Sequence, residues 1–172
     1  DLAKVSFEEA KFVFEQKVKH LDLSIVHYVH YNLGNIYTRL GEHQAAKILL
    51  EKYKTVCLQE GDYKHAAMAC NDLGVLYGEL EDKEMLLQSY LEGLSYPSLD
   101  MVSLGLLQGN LAGFYFTEKE IEKTLKYALQ AEKSVEEVIK YDLHHLGMAW
   151  KSNNYKLLGE IYSELKQFEQ AE

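Results

Sequence analysis

The sequence predicts an all-α fold built from repeated pairs of antiparallel helices, and three observations support that prediction. Residues common in helices dominate the 172-residue chain, which contains a single proline, Pro97. One short phrase, in which leucine and glycine precede a tyrosine, recurs along the chain. Apolar side chains around the phrase are spaced three and four residues apart, as on one face of a helix. A chain of this length can bury an ordinary hydrophobic core.

Composition narrows the classes of partner. The formal net charge is −9, with 27 acidic against 18 basic side chains. This balance repels phosphates and anionic lipids, so we expect neither nucleic acid nor a membrane as a partner. No apolar run reaches the roughly 20 residues that span a bilayer. Cys57 and Cys70 both lie in helical patterns and are too few for a disulfide framework, which predicts reduced thiols and a cytoplasmic location.

The recurring phrase marks the first helix of each predicted unit. A leucine is followed by a small residue at 33–34, 73–74, 111–112 and 158–159, and a tyrosine follows each pair: Tyr37, Tyr77, Tyr115 and Tyr162. The small residue lets a neighbouring helix approach closely, because a longer side chain would hold the two backbones apart. We therefore expect Gly74 and Gly159 to lie where two helices touch.

A turn and a second helix follow each phrase. Gly41 is the predicted turn of the first unit, and Asp82 is the predicted N-cap in the second. Thr117 and Glu120 have the spacing of a capping box in the third. The second helices carry their own stripes of small and large residues: Ala46, Leu50 and Tyr53, then Leu86, Tyr90 and Gly93, then Thr124, Ala128 and Ala131.

These residues resemble the tetratricopeptide repeat (TPR), a helix–turn–helix unit with Leu-Gly, Tyr, Ala and aromatic landmarks. The match is strong in "LGNIYTRLGEHQAA" and "LGEIYSELKQFEQA" and weaker in the third unit, where Ala112 replaces glycine. Successive leucines are 40, 38 and 47 residues apart, against about 34 in the usual unit. This spacing is similar to the extended repeats of kinesin light chains and of bacterial peptide-sensing regulators. The resemblance implies a right-handed superhelix of antiparallel helix pairs, the TPR solenoid.

The pattern predicts one TPR array over residues 1–172. Its predicted parts are the outer helix of a truncated preceding repeat at 6–21, repeat 1 at 24–60, repeat 2 at 62–96, repeat 3 at 98–141, and a truncated repeat 4 at 142–172. The chain begins at Asp1 and stops in mid-pattern, so we expect a piece excised from a longer protein. Aromatic residues near both ends, including Phe12 and Phe168, would lack cover, which predicts association through a terminal helix.

No residue set has the pattern of a catalytic or metal site. The stretch "GLLQGN" (105–110) lacks the lysine of a phosphate-binding loop. His27 and His30 form one histidine group, and His144 and His145 form another, but neither has a third or fourth ligand at a compatible spacing. The sequence therefore predicts no enzymatic activity, no metal and no cofactor.

Asparagines indicate where a ligand would bind. All six lie in the first helices, which line the inside of the superhelix in the resembled fold. An asparagine amide can accept and donate, so a row of them can hold a peptide backbone; the same residues can instead serve helix packing alone. Aromatic and arginine side chains are usual anchors of binding surfaces. The predicted ligand groove consists of Tyr28, Tyr31, Asn32, Asn35, Arg39, Asn71, Asn110, Asn153 and Lys156.

These observations predict a TPR module of a larger regulatory or signalling protein, which binds a protein or peptide segment in its concave groove. The carboxylate clamp of heat-shock co-chaperones is not expected, because Tyr31 stands where that family has lysine and the later cations are replaced by Leu106 and Asn110. Two alternatives stay open. One is a structural scaffold that self-associates, for example as a homodimer through terminal helices. The other is a sensory domain that spaces and regulates an attached output domain.

Overall fold

The computed structural model describes residues 23–140 continuously, together with residues 5, 8, 9, 12, 13, 16, 156, 159–163 and 166. All regular elements within this part of the chain are α-helices, which confirms the predicted all-α class. Six helices follow one another through the continuous stretch: α1 (Leu23–Leu40), α2 (His43–Glu60), α3 (Tyr63–Glu79), α4 (Lys83–Ser95), α5 (Met101–Thr117) and α6 (Ile121–Lys140). No helix in the described residues is both long and apolar enough to cross a membrane.

The chain divides into two compact units, Asp1–Ser98 and Leu99–Glu172. In the first unit each helix packs against the next, and α1 also touches α3. Helices α1 and α3 therefore form one layer, and α2 and α4 form the other. In the second unit α5 packs along α6, and Ile161 joins the core between them. The packing of neighbouring helices within each unit is that of a helical-repeat protein.

The same tight turn joins the two helices of each pair. In all three turns the residue five positions after the repeat tyrosine donates its backbone N–H to the tyrosine carbonyl, at 2.9 Å: Glu42 to Tyr37, Asp82 to Tyr77 and Glu120 to Tyr115. The preceding residue adopts a positive φ, which is 77° at Gly41, 58° at Glu81 and 60° at Lys119. The predicted turn at Gly41 is confirmed. The other two turns form without glycine, since this hydrogen bond holds the backbone in place.

Aspartates cap three helix N-termini. Asp62, Asp82 and Asp100 each accept a hydrogen bond from the backbone N–H three residues later. The cap predicted at Asp82 is thus confirmed. The capping box predicted from Thr117 to Glu120 is wrong. Thr117 is the last residue of α5, and its hydroxyl donates back to the Phe114 carbonyl at 2.7 Å, so it is not available to cap α6.

Glycines in the first helices bring the two layers into close contact. A Cβ built on Gly74 would lie 2.2 Å from Cε1 of Tyr90, and one built on Gly34 would lie 2.8 Å from Cγ of Leu50. Both distances are far below van der Waals contact, so each glycine accommodates one large side chain of the following helix. The predicted role of Gly74 at a helix–helix contact is confirmed.

The third pair reaches the same contact with two alanines, in place of a glycine and a large residue. Ala112 of α5 and Ala128 of α6 lie in one buried cluster, 0% and 3% exposed. Gly159, in contrast, is exposed, and a Cβ added there would meet no described atom within 4 Å. The prediction that Gly159 lies at a helix–helix contact is therefore not confirmed.

Two hydrogen bonds between side chains connect successive helix pairs in the first unit, one in each layer. In the α1–α3 layer Asn35 Nδ2 donates to Asp72 Oδ2 at 2.9 Å. In the α2–α4 layer Lys54 Nζ donates to Glu92 Oε2 at 3.2 Å. The hydroxyl of Tyr96 donates to the other oxygen of Glu92, at 2.5 Å. Each layer is thus held across the repeat boundary by a charged or charge-assisted hydrogen bond.

Several predictions fall largely outside the described residues. These are the helix at 6–21, the truncated repeat 4 at 142–172 and the turn between Asp142 and Gly147. Helix α6 extends to Lys140, so the second helix of the third pair is the longest of the six.

We predict that Gly74→Ala destabilises the protein, because its Cβ would overlap the ring of Tyr90, which is 5% exposed and has little room to move. Overpacking of this kind costs about 1–3 kcal/mol. Urea unfolding followed by circular dichroism measures the change. The matched control is Gly113→Ala in α5, where an added Cβ meets no described atom within 4 Å. There the better helix propensity of alanine gives up to about 1 kcal/mol of added stability.

A double-mutant cycle tests the cause. In a Tyr90→Ala background the same Gly74→Ala substitution loses its penalty, since the pair then copies Ala112 and Ala128. If Gly74→Ala costs as much in that background as in the wild type, the ring of Tyr90 is not the source of the clash.

Candidate functional site

Helices α1 and α3 present matching stripes of half-buried and exposed side chains. On α3 the stripe contains Met68, Asp72, Val75 and Glu79, at spacings of four, three and four residues, which place them on one side of a helix. Most of the intervening residues are buried. The equivalent positions of α1 are Tyr28, Asn32, Asn35 and Arg39. The side chain of Tyr28 lies outside the described residues. We call the other seven residues the α1/α3 face.

The two stripes meet at the carboxylate of Asp72. Its Oδ2 accepts from Asn35 Nδ2 at 2.9 Å, and its Oδ1 accepts from Asn71 Nδ2 at 3.0 Å. The side chain of Tyr31 provides a third hydrogen bond. Residues from both helices thus converge on one half-buried acidic group.

Burial raises the pKa of Asp72 above the ordinary value for aspartate, and this effect outweighs several opposing ones. Hydrogen bonds from Tyr31, Asn35 and Asn71 lower the pKa, and so does the positive charge of Arg39. A raised pKa means that the folded environment disfavours the ionised carboxylate despite its three donors. Asp72 therefore carries a charge that its surroundings compensate only in part.

Three predicted groove residues surround Asp72. Asn35 is half-buried and uses its amide nitrogen on Asp72. Asn71 lies beside the stripe rather than on it and is only 9% exposed. Tyr31 is half-buried, and its ring centroid lies 4.8 Å from that of Tyr53 in α2. Tyr31 and Asn71 thus lie beneath the α1/α3 face and donate hydrogen bonds to Asp72.

The other predicted groove residues lie at varied positions. Asn32 and Arg39 belong to the α1/α3 face, where Asn32 is half-buried and Arg39 is exposed. In the second unit Asn110 is half-buried in α5, and Lys156 is exposed with its Nζ 4.0 Å from Glu160. Asn153 lies outside the described residues. Whether these residues form one ligand groove stays a prediction.

Asp72 itself was not among the predicted groove residues. The signal that could have identified it is an acidic residue inside the stretch "AAMACNDLGVL" (66–76), in which every other residue except Asn71 is apolar or small. A charge at such a place is rarely tolerated in a helix that packs on both sides unless polar groups surround it. The sequence predicts the asparagines as ligand-binding groups, whereas two of them donate hydrogen bonds to Asp72.

An open cleft of about 530 Å³ lies along α4. Its described lining comes from one face of that helix: Glu84, Leu87, Gln88, Leu91, Glu92 and Ser95. Polar groups from other elements do not converge on it among these lining residues. The α1/α3 face, where side chains of two helices meet around one charge, is therefore the stronger candidate site.

Thiols and metal ligands do not assemble into a reactive centre in the described residues. Burial raises the pKa of Cys57 to about 11 and that of Cys70 to about 11, so both thiols stay protonated at neutral pH. No group of three or more His, Cys, Asp or Glu side chains in this part of the chain could hold a metal ion. The side chain of His27 and both residues of the pair His144 and His145 lie outside the described residues.

We predict that Asp72 and Asp62 affect the pH dependence of stability in opposite directions. The pKa of Asp72 is raised, so the folded protein binds this proton at a higher pH than the unfolded chain does. The contribution of Asp72 to stability therefore increases as the pH falls through its folded pKa, and the increase is complete below the unfolded value of about 3.9.

Asp62 has the opposite sign. Burial alone would raise the pKa of Asp62. The backbone N–H and the ring of His65, together with the charge of Lys64, lower this pKa by a larger amount, so the net shift is downward. Its contribution to stability is present above about pH 4 and is lost as the pH falls through the folded pKa.

Urea unfolding of the wild type, Asp72→Asn and Asp62→Asn is measured from about pH 7 to below about pH 4. It separates the pH range in which Asp72 changes the stability from the range in which Asp62 does. As the pH falls toward about 4, the free energy of unfolding of the wild type increases relative to that of Asp72→Asn. Relative to Asp62→Asn, the wild type loses stability only below about pH 4. A difference between wild type and Asp72→Asn that does not vary with pH would contradict the assigned shift.

Comparison with known proteins agrees with the helix-pair geometry. A family model described as tetratricopeptide repeat matches residues 27–60, which comprise most of α1 and all of α2. No curated protein matches the chain. A tetratricopeptide repeat indicates a protein–protein interaction module, and repeats of this type are generally non-catalytic. The matched repeat spans residues 27–60, and it supports the resemblance of the chain to the tetratricopeptide-repeat family.

Proposed function

We propose that this chain is the binding module of a larger regulatory protein and that it holds a protein or peptide segment on the α1/α3 face. The observation that carries the proposal is that the two matching stripes, made of half-buried and exposed side chains, meet at Asp72. The two free, buried thiols are compatible with a reducing, cytoplasmic setting. We propose no catalytic role for the module.

The α1/α3 face offers the mixture of groups that recognition of a polypeptide requires. Val75 supplies an apolar contact and is 39% exposed, while Arg39 and Glu79 supply opposite charges. Between them, Asn32 and Asn35 supply amides that can accept and donate hydrogen bonds. A binding surface generally combines a few apolar or arginine anchors with polar groups that set orientation.

The hydrogen bond between Asn35 and Asp72 gives this face a fixed geometry. It joins the two stripes at their centre, so a ligand that spans both helices meets side chains that are already ordered. Ordering these side chains in advance reduces the entropy that binding would otherwise cost. With the amide nitrogen of Asn35 occupied by Asp72, the amide oxygen is the atom that could accept a backbone N–H of a bound segment.

We predict that Val75→Asp abolishes or weakens binding of linear peptides without unfolding the module. The probe is a display library of random linear peptides, selected on the wild-type protein. Enriched peptides should lose at least about tenfold in affinity for Val75→Asp, because the substitution places a charge where an apolar contact is expected. Isothermal titration or fluorescence anisotropy measures the affinity, and circular dichroism checks the fold.

The matched control is Ile48→Asp in α2. Ile48 is 57% exposed, so it is the same kind of surface aliphatic residue, but it belongs to the other layer of the unit. Binding should be unchanged in this variant. Equal losses in both variants, or peptides that bind Val75→Asp as well as wild type, would contradict the proposed location of the site.

Self-association is the second candidate function, because the described residues of the N-terminal segment 5–16 include exposed apolar side chains. Phe12 is 64% exposed, and Val5 and Val13 are each about half exposed. Exposed apolar side chains that form a contiguous patch mark interaction sites. In this function the segment pairs with a second copy of the chain and leaves the α1/α3 face free.

We predict that the weight-average mass from light scattering rises with concentration in the wild type and stays near the monomer value in Phe12→Lys. The lysine removes an apolar contact and adds charge repulsion between copies. Gln16→Lys, also exposed in this segment, adds the same charge without removing an apolar group and should behave like wild type. A wild-type mass that stays monomeric at high concentration would rule out self-association.

A further inference from the structure

Three described residues donate hydrogen bonds to the carboxylate of Asp72, and all three donors are uncharged. They are the amide of Asn35, the amide of Asn71 and the side chain of Tyr31. An ionised carboxylate offers about four lone-pair positions. Three donors therefore orient the group firmly and leave about one position for a further partner.

Within the described part of the chain, no cation forms an ion pair with this carboxylate. Among the described residues, no nitrogen of a Lys, Arg or His side chain lies within ion-pair distance of Asp72. Arg39 attracts Asp72 through space, but its side chain is exposed and forms no ion pair with it. A half-buried charge whose described hydrogen-bond donors are all neutral gains strongly from a cation that approaches from the open side.

Two other titratable groups near Asp72, Glu79 and Tyr90, are also compatible with a cationic ligand. Glu79 lies on the same stripe seven residues further along α3, about 10 Å away by the helical rise. It adds a second negative charge to this part of the face. Burial first and the charge of Asp72 second raise the pKa of the Tyr90 hydroxyl, so that group stays neutral and does not repel or replace a cation.

We propose that Asp72 receives a basic side chain, lysine or arginine, of the segment that binds to the α1/α3 face. Asn35, Asn71 and Tyr31 act as positioning residues that hold the carboxylate toward the ligand. This inference rests on the proposed function and specifies its chemistry. Arg39 lies at the end of the α1 stripe and repels a second basic residue there, so the face selects one basic residue at one place rather than a generally basic peptide.

The test uses peptides enriched from the random display library on wild-type protein, and it compares them with a parallel selection on Asp72→Asn. Wild-type selections should show lysine or arginine at one common position. The Asp72→Asn selection should lose that preference, because a neutral amide replaces the charged acceptor. Glu84→Gln removes an exposed carboxylate from α4 and serves as the control, with the basic position retained.

A cycle across the complex separates recognition from a merely structural role of Asp72. Replacing the common lysine by norleucine, or the common arginine by citrulline, should weaken binding to wild type by about tenfold or more, the scale of a charge-assisted hydrogen bond. The same peptide change should have little effect on binding to Asp72→Asn. The wild-type arm changes only the peptide, so it remains decisive even if Asp72→Asn folds poorly.

The outcomes distinguish this inference from the function on which it rests. Peptides that bind wild type, lose affinity for Val75→Asp and show no basic position would overturn the inference and leave the proposed function intact. A basic position that persists in the Asp72→Asn selection would also overturn it. The absence of any peptide sensitive to Val75→Asp counts against both.

Discussion

The architecture depends on the close approach of two helices at one position in each pair. In two pairs a glycine of the first helix faces a large residue of the second, leucine or tyrosine, and in the third pair alanine faces alanine. The sizes of the two partners therefore compensate each other, so neither residue alone determines the spacing of the layers. Dense packing tolerates little change at such a contact, since interiors contain few voids and cannot accommodate overlap cheaply.

This contact also determines which side of each first helix meets solvent. Once Gly74 rests on Tyr90, the opposite side of α3 carries Met68, Asp72, Val75 and Glu79. The turn that follows restrains the same rotation, because its hydrogen bond ends on the carbonyl of the repeat tyrosine at 2.9 Å in all three pairs. The matching stripes of half-buried and exposed side chains on α1 and α3 are thus a consequence of packing on the far sides of these helices.

Much of the fold could be predicted from the sequence, because its determinants are local. Helix periodicity, the glycine turn at 41 and the aspartate cap at 82 each depend on residues within one or two turns of helix. The capping box at 117–120 failed because a threonine hydroxyl can bond backward to a carbonyl as well as forward to an N–H, and the letters do not distinguish these geometries. Turns at Glu81 and Lys119 lacked a glycine signal for the same positive φ.

The site was harder to predict, because its centre depends on contacts between residues far apart in the chain. Asn35 and Asp72 are 37 residues apart and meet only because α1 and α3 lie in one layer. The sequence predicts a binding role for the asparagines, because their amides suit a peptide backbone. Asp72, which accepts hydrogen bonds from two of them, belongs to no recognisable motif. Burial changed the interpretation of Asn71 as well, since a side chain that is 9% exposed supports the surface rather than forming it.

In the proposed complex, the position of Asp72 links ligand binding to the stacking of helix pairs. The same carboxylate accepts the hydrogen bond that joins α1 to α3, and it is part of the α1/α3 face. At neutral pH its charge opposes folding in part, as the raised pKa indicates. A cationic partner removes that penalty only in the folded, stacked arrangement, so binding stabilises the contact between neighbouring pairs by mass action. In a repeat protein, stability is approximately a sum of such neighbour contacts. A ligand at this single group would therefore tighten the junction between the first two helix pairs as well as occupy the surface above it.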